Sequence, residues 1–280
     1  MSNNPLDLTG RIVIVAGASG GGLGTAVSRL AAQHGATVIA VSRSQEKLDE
    51  HMGPLLADGL SVIPVAADLE TEDGVATAMA AAAKAPGQLY GLVTVIGGGP
   101  PPSWGNAGKL PRNTWHELFS KNLDSMFFIS QAVSAELRRQ KCKGSIVAIS
   151  SITALGAQPY NVAYGAAKAA ILSVVRTMAL ELAAENIRVN AVAPGAMTSP
   201  SSLLPPNPEL ERQAIPMGRK GDVTEIANSV MFLLSDMGSY LTGQCLTADG
   251  GIGLKWSHLR EDNTPLLITN EPFLNAMKAD

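Results

Sequence analysis

The chain has 280 residues, of which 46% are apolar and only 16% charged, and its formal net charge is −3. This composition excludes a disordered polymer, and the mild acidity argues against a nucleic-acid-binding protein, which usually carries a basic surface. Two cysteines are too few for a disulfide framework, and no Cys/His spacing indicates a zinc site or another metal site. The sequence begins without a signal-peptide pattern, and no apolar run is long enough to span a membrane, so we expect a cytoplasmic protein.

Short runs rich in β-branched residues alternate with helical patterns along the chain. In chain order, the candidate strands are residues 11–16, 37–41, 61–65, 92–96, 145–150, 187–192 and 244–247. The clearest helical patterns between them are at residues 115–137 and 164–184. Strands separated by helices require right-handed crossovers, so this order predicts a single α/β domain of the doubly wound, Rossmann type. We expect a seven-stranded, mostly parallel sheet with helices on both faces.

A glycine-rich segment, GASGGGLG at residues 17–24, follows the first predicted strand. A (β/α)₈ barrel of similar length is the alternative architecture, but it gives no reason for glycines at this place. In a doubly wound sheet they let the backbone turn tightly and approach a pyrophosphate at the N-terminus of the next helix. The strand–loop–helix context therefore predicts a dinucleotide site. The candidate loop residues are Gly17, Ser19, Gly21, Gly22, Leu23 and Gly24.

The end of the second predicted strand indicates which dinucleotide is preferred. An Asp or Glu at this point would bind the free ribose 2′-hydroxyl of NAD(H). The sequence has Ser42 and Arg43 there and no acid. Because a guanidinium makes charge-assisted hydrogen bonds to phosphate, these residues predict that NADP(H) is preferred over NAD(H).

Residues 17–21 also match G-x-S-x-G, the nucleophile elbow of α/β-hydrolases, with Ser19 as the nucleophile. Asp249 and His258 follow in the order that a Ser–Asp–His triad requires. The elbow would then follow the first strand, and no earlier loop could supply an oxyanion donor. A serine hydrolase is therefore an alternative that explains fewer of the residues.

Tyr164 and Lys168 are separated by four positions in the second long helical pattern, so they lie on one helix face. A cation beside a tyrosine favours the phenolate and lowers its pKa, which would suit Tyr164 to general acid–base chemistry on a carbonyl/alcohol pair. Ser150 and Ser151 end the preceding strand. A hydroxyl there could polarise a substrate oxygen, although capping a helix is the competing role.

Together these motifs resemble the short-chain dehydrogenase/reductase family. The glycine loop, Ser151, Tyr164-x-x-x-Lys168 and IRVNAVAPG at residues 187–195 occur in the family's order, and the similarity covers about residues 8–253. The resemblance implies that Tyr164 is the acid–base and that Ser151 orients the substrate carbonyl. It also implies that Lys168 binds the nicotinamide ribose and lowers the tyrosine pKa. Asn122 matches the asparagine that supports a proton-relay water.

The resemblance implies further cofactor contacts. Asp68 and Leu69 match the pair beside the adenine. Met197 and Ser199 fall where the family contacts the carboxamide, with Thr198 as a neighbouring candidate. The remaining matched positions are Gly97, Pro194 and Gly195.

Two features depart from the family pattern. The glycine loop has one residue more than the family's G-x-x-x-G-x-G, so either the phosphate turn bulges or Gly21 takes the middle position in place of Gly22. The family's Asn-Asn-Ala-Gly is TVIG at residues 94–97. Thr94 keeps a hydroxyl but lacks the amide, so we expect weaker local support of the sheet.

These observations predict an NADP-dependent ketoreductase, or the reverse alcohol dehydrogenase, acting on a small carbonyl or secondary alcohol. Leu203, Leu204 and Ile215 border a proline-rich stretch and suggest an apolar lid and an apolar substrate. The resemblance implies that the two long helices pair between subunits, in a homotetramer or a homodimer. An NADP(H)-binding regulator without catalysis is the alternative. Residues 254–280 are predicted to form an extension to the single domain.

Overall fold

The computed structural model describes residues 4–200, 207–255 and 260–263, together with residues 271 and 275. Its strands, in chain order, are β1 (Arg11–Ala16), β2 (Thr37–Ser42), β3 (Val62–Ala66), β4 (Gln88–Thr94), β5 (Gly144–Ile149), β6 (Ile187–Pro194), β7 (Met197–Thr198), β8 (Gly221–Asp222) and β9 (Cys245–Ala248). Seven of them form one parallel sheet in the order β3-β2-β1-β4-β5-β6-β9. The short strands β7 and β8 pair with each other beside it.

Helices cover both faces of the sheet. They are α1 (Leu23–Gln33), α2 (Gln45–Ala57), α3 (Glu72–Lys84), α4 (Arg112–Phe119), α5 (Ser125–Gln140), α6 (Val162–Leu182), α7 (Pro208–Ala214) and α8 (Val223–Leu234). One apolar core lies between the sheet and helices α1, α2 and α8, and a second lies between the sheet and helices α3, α5 and α6. The predicted doubly wound α/β fold with seven parallel strands is confirmed.

The central strands are apolar on both faces because both faces are covered. In β1, Val13 and Val15 belong to the core under α1 and α8, whereas Ile12 and Ile14 belong to the opposite core. Successive side chains of a strand point to opposite faces, so a strand between two cores needs a continuous apolar run. This explains why the run at residues 11–16 is detectable in the sequence.

The order of strands reverses between β1 and β4, and this position determines where a ligand can bind. The chain leaves β1 towards β2 on one side, and β4 lies on the other side of β1. In open α/β sheets, ligands bind at this switch point, beyond the carboxyl ends of the strands. β4 begins and ends earlier than the predicted range of residues 92–96. Its pairing with β1 continues back through Gly91, and the chain leaves the sheet after Thr94.

The predicted helix at residues 115–137 lies within a helical segment that runs from Arg112 to Gln140, but this segment is not uniform. The structure has α4 and α5 joined by one wider π-helical turn at Ser120–Asp124. The apolar periodicity continues through the turn, so the sequence pattern does not reveal it. The predicted helix at 164–184 corresponds to α6, which begins and ends two residues earlier.

Two further predictions concern the ends and the surroundings of this domain. The extension expected at residues 254–280 lies mostly outside the described part of the chain, so its role stays a prediction. Among the residues that the structure describes, no helix is long and apolar enough to cross a membrane.

Candidate active site

A cleft of about 760 Å³ lies along the carboxyl ends of the sheet strands, at the switch point between β1 and β4. The predicted site residues that line it are Gly17, Ser19, Gly22, Leu23, Gly24, Ser42, Arg43, Asp68, Leu69, Gly97, Ser151, Tyr164, Lys168, Pro194, Gly195, Met197 and Ser199. Of the remaining candidates, Gly21, Asn122 and Thr198 are not part of the lining. The fold therefore brings nearly all of the proposed residues to one place, while their individual roles stay predictions.

Two positions of the glycine loop require glycine for steric reasons. Gly17 has φ +92°, and a Cβ there would lie 2.9 Å from the backbone nitrogen of Ile96. A Cβ on Gly24 would collide with the carbonyl group of Gly17. The two glycines thus let the first turn of α1 pack directly against the end of β1.

The extra residue of the loop is accommodated at Gly21. Gly21 has φ +63°, and a Cβ there would lie 3.0 Å from the imidazole Cε1 of His51 on α2. Gly22 is the N-cap residue of α1 and lines the cleft. Gly21 does not line the cleft, because its backbone turns towards α2. Gly22 lines the cleft and is therefore the better match to the middle glycine of the G-x-x-x-G-x-G pattern.

The cleft end near β2 combines hydroxyl groups with charged side chains. The Ser19 and Ser42 hydroxyl oxygens are 2.5 Å apart. The Arg43 guanidinium is 3.5 Å from a carboxylate oxygen of Glu70, and the other oxygen of that carboxylate accepts a hydrogen bond from Ser120. These groups lie where the sequence predicts the adenosine ribose and its 2′-substituent.

Ser151, Tyr164 and Lys168 meet at the opposite end of the cleft, where β5 ends beside the first turns of α6. The Tyr164 phenol interacts with the side chain of Ser151, whose hydroxyl accepts a hydrogen bond from the Thr153 backbone at 3.2 Å. The Lys168 ammonium donates to the carbonyl oxygen of Ile149 at 2.9 Å and lies 5.7 Å from the centre of the Tyr164 ring. Because the ammonium is buried, the pKa of Lys168 is lowered to about 8.

The predicted direction for the pKa of Tyr164 was wrong for this structure. Burial raises the pKa of the phenol, and the interaction with Ser151 opposes burial only in part. The sequence places a cation one turn away, but it does not show that Lys168 is buried and that Tyr164 is partly buried. At neutral pH, Tyr164 is therefore a protonated phenol, able to donate a proton.

Asn122 supports the site from within the π-helical turn. Its fully buried carboxamide accepts a hydrogen bond from the Gly98 amide at 2.9 Å and donates to the carbonyl oxygens of Gly98 and Leu118. A Cβ on Gly97 would collide with this carboxamide and lie 3.0 Å from the Lys168 nitrogen. Asn122 therefore holds the loop after β4 beside Lys168, and the relay role implied by the resemblance stays a prediction.

The structure gives no support to the hydrolase alternative. The Ser19 hydroxyl pairs with Ser42, and the two carboxylate oxygens of Asp249 accept hydrogen bonds from the backbone of Gly251 and Gly253. His258 lies outside the described residues.

Thr94, at the end of β4, is buried, and its hydroxyl has no partner in the structure, as expected of a position that lacks the family's amide.

The sequence analysis missed several polar residues of the cleft. They are Ser44, Lys47, Glu70, Lys121 and Ser125. Lys47 follows Arg43 by four residues, and Glu70 directly follows the predicted pair Asp68 and Leu69, so proximity in the sequence could have indicated both. No group of three or more potential metal ligands occurs within the described ranges.

A family model described as enoyl-(acyl carrier protein) reductase matches residues 17–253. The chain belongs to the short-chain dehydrogenase/reductase family. A 3-oxoacyl-(acyl-carrier-protein) reductase of Thermotoga maritima is 34% identical over 257 residues, covering 88% of this chain and 98% of the relative. A glucose 1-dehydrogenase of Gluconobacter oxydans is 34% identical over 251 residues, covering 88% and 92%.

A solved structure supports the same assignment. A short-chain type dehydrogenase/reductase from Mycobacterium ulcerans superposes with a TM-score of 0.83 at 28% identity, covering 98% of this chain and 99% of that one. The protein is thus a carbonyl/alcohol oxidoreductase of a family that uses nicotinamide cofactors. Its own residues fit such a group, because Gly17, Gly22 and Gly24 leave the floor of a long cleft free of side chains.

Proposed function

We propose that the protein interconverts a small ketone or aldehyde and the corresponding alcohol with NADP(H). The observation that carries this proposal is the position of Tyr164 and Ser151, whose side chains interact beside Lys168 in the cleft. A regulator that only bound a dinucleotide would have no use for an acid–base group next to a carbonyl-polarising hydroxyl. The three side chains therefore favour catalysis over sensing.

The proposed reaction divides the work between the cofactor and the chain. A nicotinamide cofactor supplies or takes the hydride. In the reducing direction, the Ser151 hydroxyl orients the carbonyl, and Tyr164 donates its phenolic proton to the carbonyl oxygen as the alcohol forms. Because burial raises the pKa of Tyr164, the phenol is in the proton-donating form at neutral pH. This favours carbonyl reduction near neutrality.

Replacing Tyr164 with Phe tests the mechanism. We expect turnover of every accepted carbonyl or alcohol to fall by at least about a hundredfold, because the proton donor is lost. NADPH binding, measured by the enhancement of its fluorescence, should remain. The matched control is Tyr240→Phe, since Tyr240 is fully exposed. Unchanged turnover in Tyr164→Phe would refute the assigned role, and NADPH binding by a wild type that turns over no compound would favour a regulator.

The preference for NADP(H) is supported by Arg43, which lines the cleft where an NAD(H)-preferring site would have an acid. Replacing Arg43 with Ala should raise KM for NADPH and leave KM for NADH nearly unchanged. Arg139→Ala removes an exposed guanidinium from the end of α5, outside the cleft, and serves as the control. An equal loss for both cofactors in Arg43→Ala would contradict the preference.

The substrate is proposed as a small carbonyl or alcohol compound that carries a further hydrogen-bonding group. Thr153 Oγ1, Gln158 Oε1 and Asn161 Oδ1 lie between Ser151 and Tyr164 in the sequence, and each is buried without a partner in the structure. None of the three residues lines the cleft, so the proposal requires this segment to open towards a bound substrate, whose polar group would then provide the missing partners. Leu203 and Leu204 of the predicted apolar lid lie outside the described residues, and Ile215 is buried, so the lid stays a prediction.

A panel of matched compounds tests this proposal. Hydroxyacetone and 2-butanone have nearly the same shape and differ in one hydroxyl group. We expect hydroxylated carbonyl compounds to have the higher kcat/KM. A preference for the compound that has a methyl group in place of the hydroxyl group in each pair would favour an apolar substrate.

We also propose a homotetramer or homodimer and a cytoplasmic location. The assembly is supported by apolar side chains that remain exposed on α5 and α6, where Phe128 is 48% and Leu180 is 83% exposed. Ile171 and Val175 of α6 are buried within the chain and are not free to contact a partner. Size-exclusion chromatography with light scattering tests the assembly, and a monomer at all concentrations would contradict it.

A further inference from the structure

The end of the cleft next to β2 and β3 has two cations, Arg43 and Lys47, and two carboxylates, Asp68 and Glu70. Asp68 accepts a hydrogen bond from the Glu70 backbone, and Glu70 is the carboxylate that pairs with Arg43. Arg43, Lys47 and Glu70 all line the cleft. Arg43 is 62% exposed and its contact with Glu70, at 3.5 Å, is an ion pair longer than a good hydrogen bond. Glu70 is 25% exposed and is held from behind by the Ser120 hydroxyl at 3.0 Å. The carboxylate is therefore fixed, whereas the guanidinium can turn to another anion.

Lys47 lies in the first turn of α2 and directs a second positive charge to the same region. Its backbone N–H donates to the Ser44 hydroxyl, which caps the helix at the point where the chain leaves β2. Its ammonium has no ion pair within the described part of the chain, in contrast to Lys143 and Lys220, which both contact carboxylates. An exposed ammonium that lines a cleft and has no carboxylate partner is available to a ligand.

Charge matching favours a phosphate as the group that these side chains receive. A phosphate monoester carries close to two negative charges at neutral pH. Arg43 and Lys47 supply two positive charges, but Glu70 cancels one of them while it pairs with Arg43. The Ser19 and Ser42 hydroxyls at the same end of the cleft can donate further hydrogen bonds.

We propose that Lys47 is the second cation of a 2′-phosphate site and that Glu70 competes with this phosphate for Arg43. The inference rests on the NADP(H) preference of the proposed function. It identifies the residues that determine how strongly NADP(H) is preferred over NAD(H). Lys47 favours the 2′-phosphorylated cofactor. Glu70 limits the preference, because the phosphate must displace it from Arg43 and then remain near its negative charge.

The test compares the affinities of 2′,5′-ADP and 5′-AMP by isothermal titration calorimetry at a fixed salt concentration. The two probes differ only in the 2′-phosphate and contain no nicotinamide, so the result does not depend on catalysis. Lys47→Met should weaken 2′,5′-ADP binding about fivefold, the effect of one partly exposed ion pair, and leave 5′-AMP binding unchanged. Lys47→Arg should retain the wild-type ratio, which separates loss of charge from loss of structure.

Glu70→Gln should strengthen 2′,5′-ADP binding by a similar factor of about five and leave 5′-AMP binding unchanged. This gain should disappear when Arg43 is also replaced by Met, because the competition acts through Arg43. The matched controls are Lys84→Met and Glu72→Gln, exposed residues at the two ends of α3 that do not line the cleft.

Three results would overturn the inference. They are an unchanged affinity ratio in Lys47→Met, equal weakening of both probes, and a weaker or unchanged binding of 2′,5′-ADP by Glu70→Gln. If the wild type binds both probes equally, the NADP(H) preference itself fails. If the wild type discriminates and the variants do not differ from it, only the roles of Lys47 and Glu70 fail.

Discussion

Replacing Lys168 with Met should stabilise the cofactor-free protein while it removes a group of the active site. The Lys168 ammonium is buried, and its pKa is lowered from 10.5 to about 8, so the folded state disfavours the charged form. Near pH 7 the charge is present in both states, and burying it costs about 3 kcal/mol, at about 1.4 kcal/mol per pH unit of the difference. Methionine has a similar length and no charge.

The net gain is smaller because Lys168 also donates to the carbonyl oxygen of Ile149 at 2.9 Å. Losing a hydrogen bond of this kind costs about 1 kcal/mol, so Lys168→Met should raise the free energy of unfolding by about 2 kcal/mol near pH 7. Between about pH 8 and pH 10.5, the unfolded chain binds a proton that the folded protein does not, so wild-type stability rises with pH through this window. The advantage of the variant should therefore disappear by about pH 10.

Urea-induced unfolding followed by circular dichroism measures the difference in the free energy of unfolding between Lys168→Met and wild type. It is measured near pH 7 and near pH 10, at one protein concentration. Only the difference between variant and wild type is interpreted, because other groups also titrate. Lys84→Met, which removes an exposed lysine, is the control variant. A Lys168→Met protein that is less stable near pH 7, or a gain that persists unchanged at high pH, would refute the reasoning.

Other predictions follow from the loop, from a helix cap and from the tyrosine. Gly24→Ala should lower Tm by several degrees, because its Cβ meets the Gly17 carbonyl, whereas Gly20→Ala, which has no neighbouring atom within 4 Å, should leave Tm unchanged. Asp222→Ala should lower the free energy of unfolding by about 1 kcal/mol in urea, because the capping box of α8 is lost, and Asp222→Asn should retain most of it. Phenolate absorbance of Tyr164, obtained by subtracting the spectrum of Tyr164→Phe, should have its titration midpoint above pH 10.0 in the cofactor-free protein; a midpoint below that pH would contradict the raised pKa.

The fold was predictable because strands covered on both faces leave a strong signal. The β-branched run of β1 and the glycines after it predict a buried strand and a phosphate loop, and the alternation with helices predicts the parallel sheet. The π-helical turn at Ser120–Asp124 was not predictable, since neither Gly nor Pro marks it and the apolar pattern continues. The earlier start of β4 was not predicted because Gly91 suggests the end of a strand, whereas backbone pairing continues through this residue.

The site was predictable to the extent that it depends on residue type and spacing. Tyr164 and Lys168 are one helical turn apart, and that spacing is enough to bring them together. Their pKa values depend on how much water the fold excludes, which spacing does not show. The contact between Arg43 and Glu70 arises because β2 and β3 are neighbours in the sheet, with Ser42 opposite Ala66. Such a contact follows from strand order and not from the local sequence.

The π-helical turn makes the position of Asn122 depend on one extra residue between α4 and α5. A π turn is equivalent to one residue inserted into a helix. The wider turn absorbs that residue, so α4 and α5 keep nearly the phase of one ordinary helix, and Ile129, Val133 and Leu137 face the core. Deleting one residue at 120–124 would let the turn close into ordinary helix with little rotation of α5, but it would move Asn122 away from Gly98. A one-residue deletion in this segment should therefore disturb the active site more than the core.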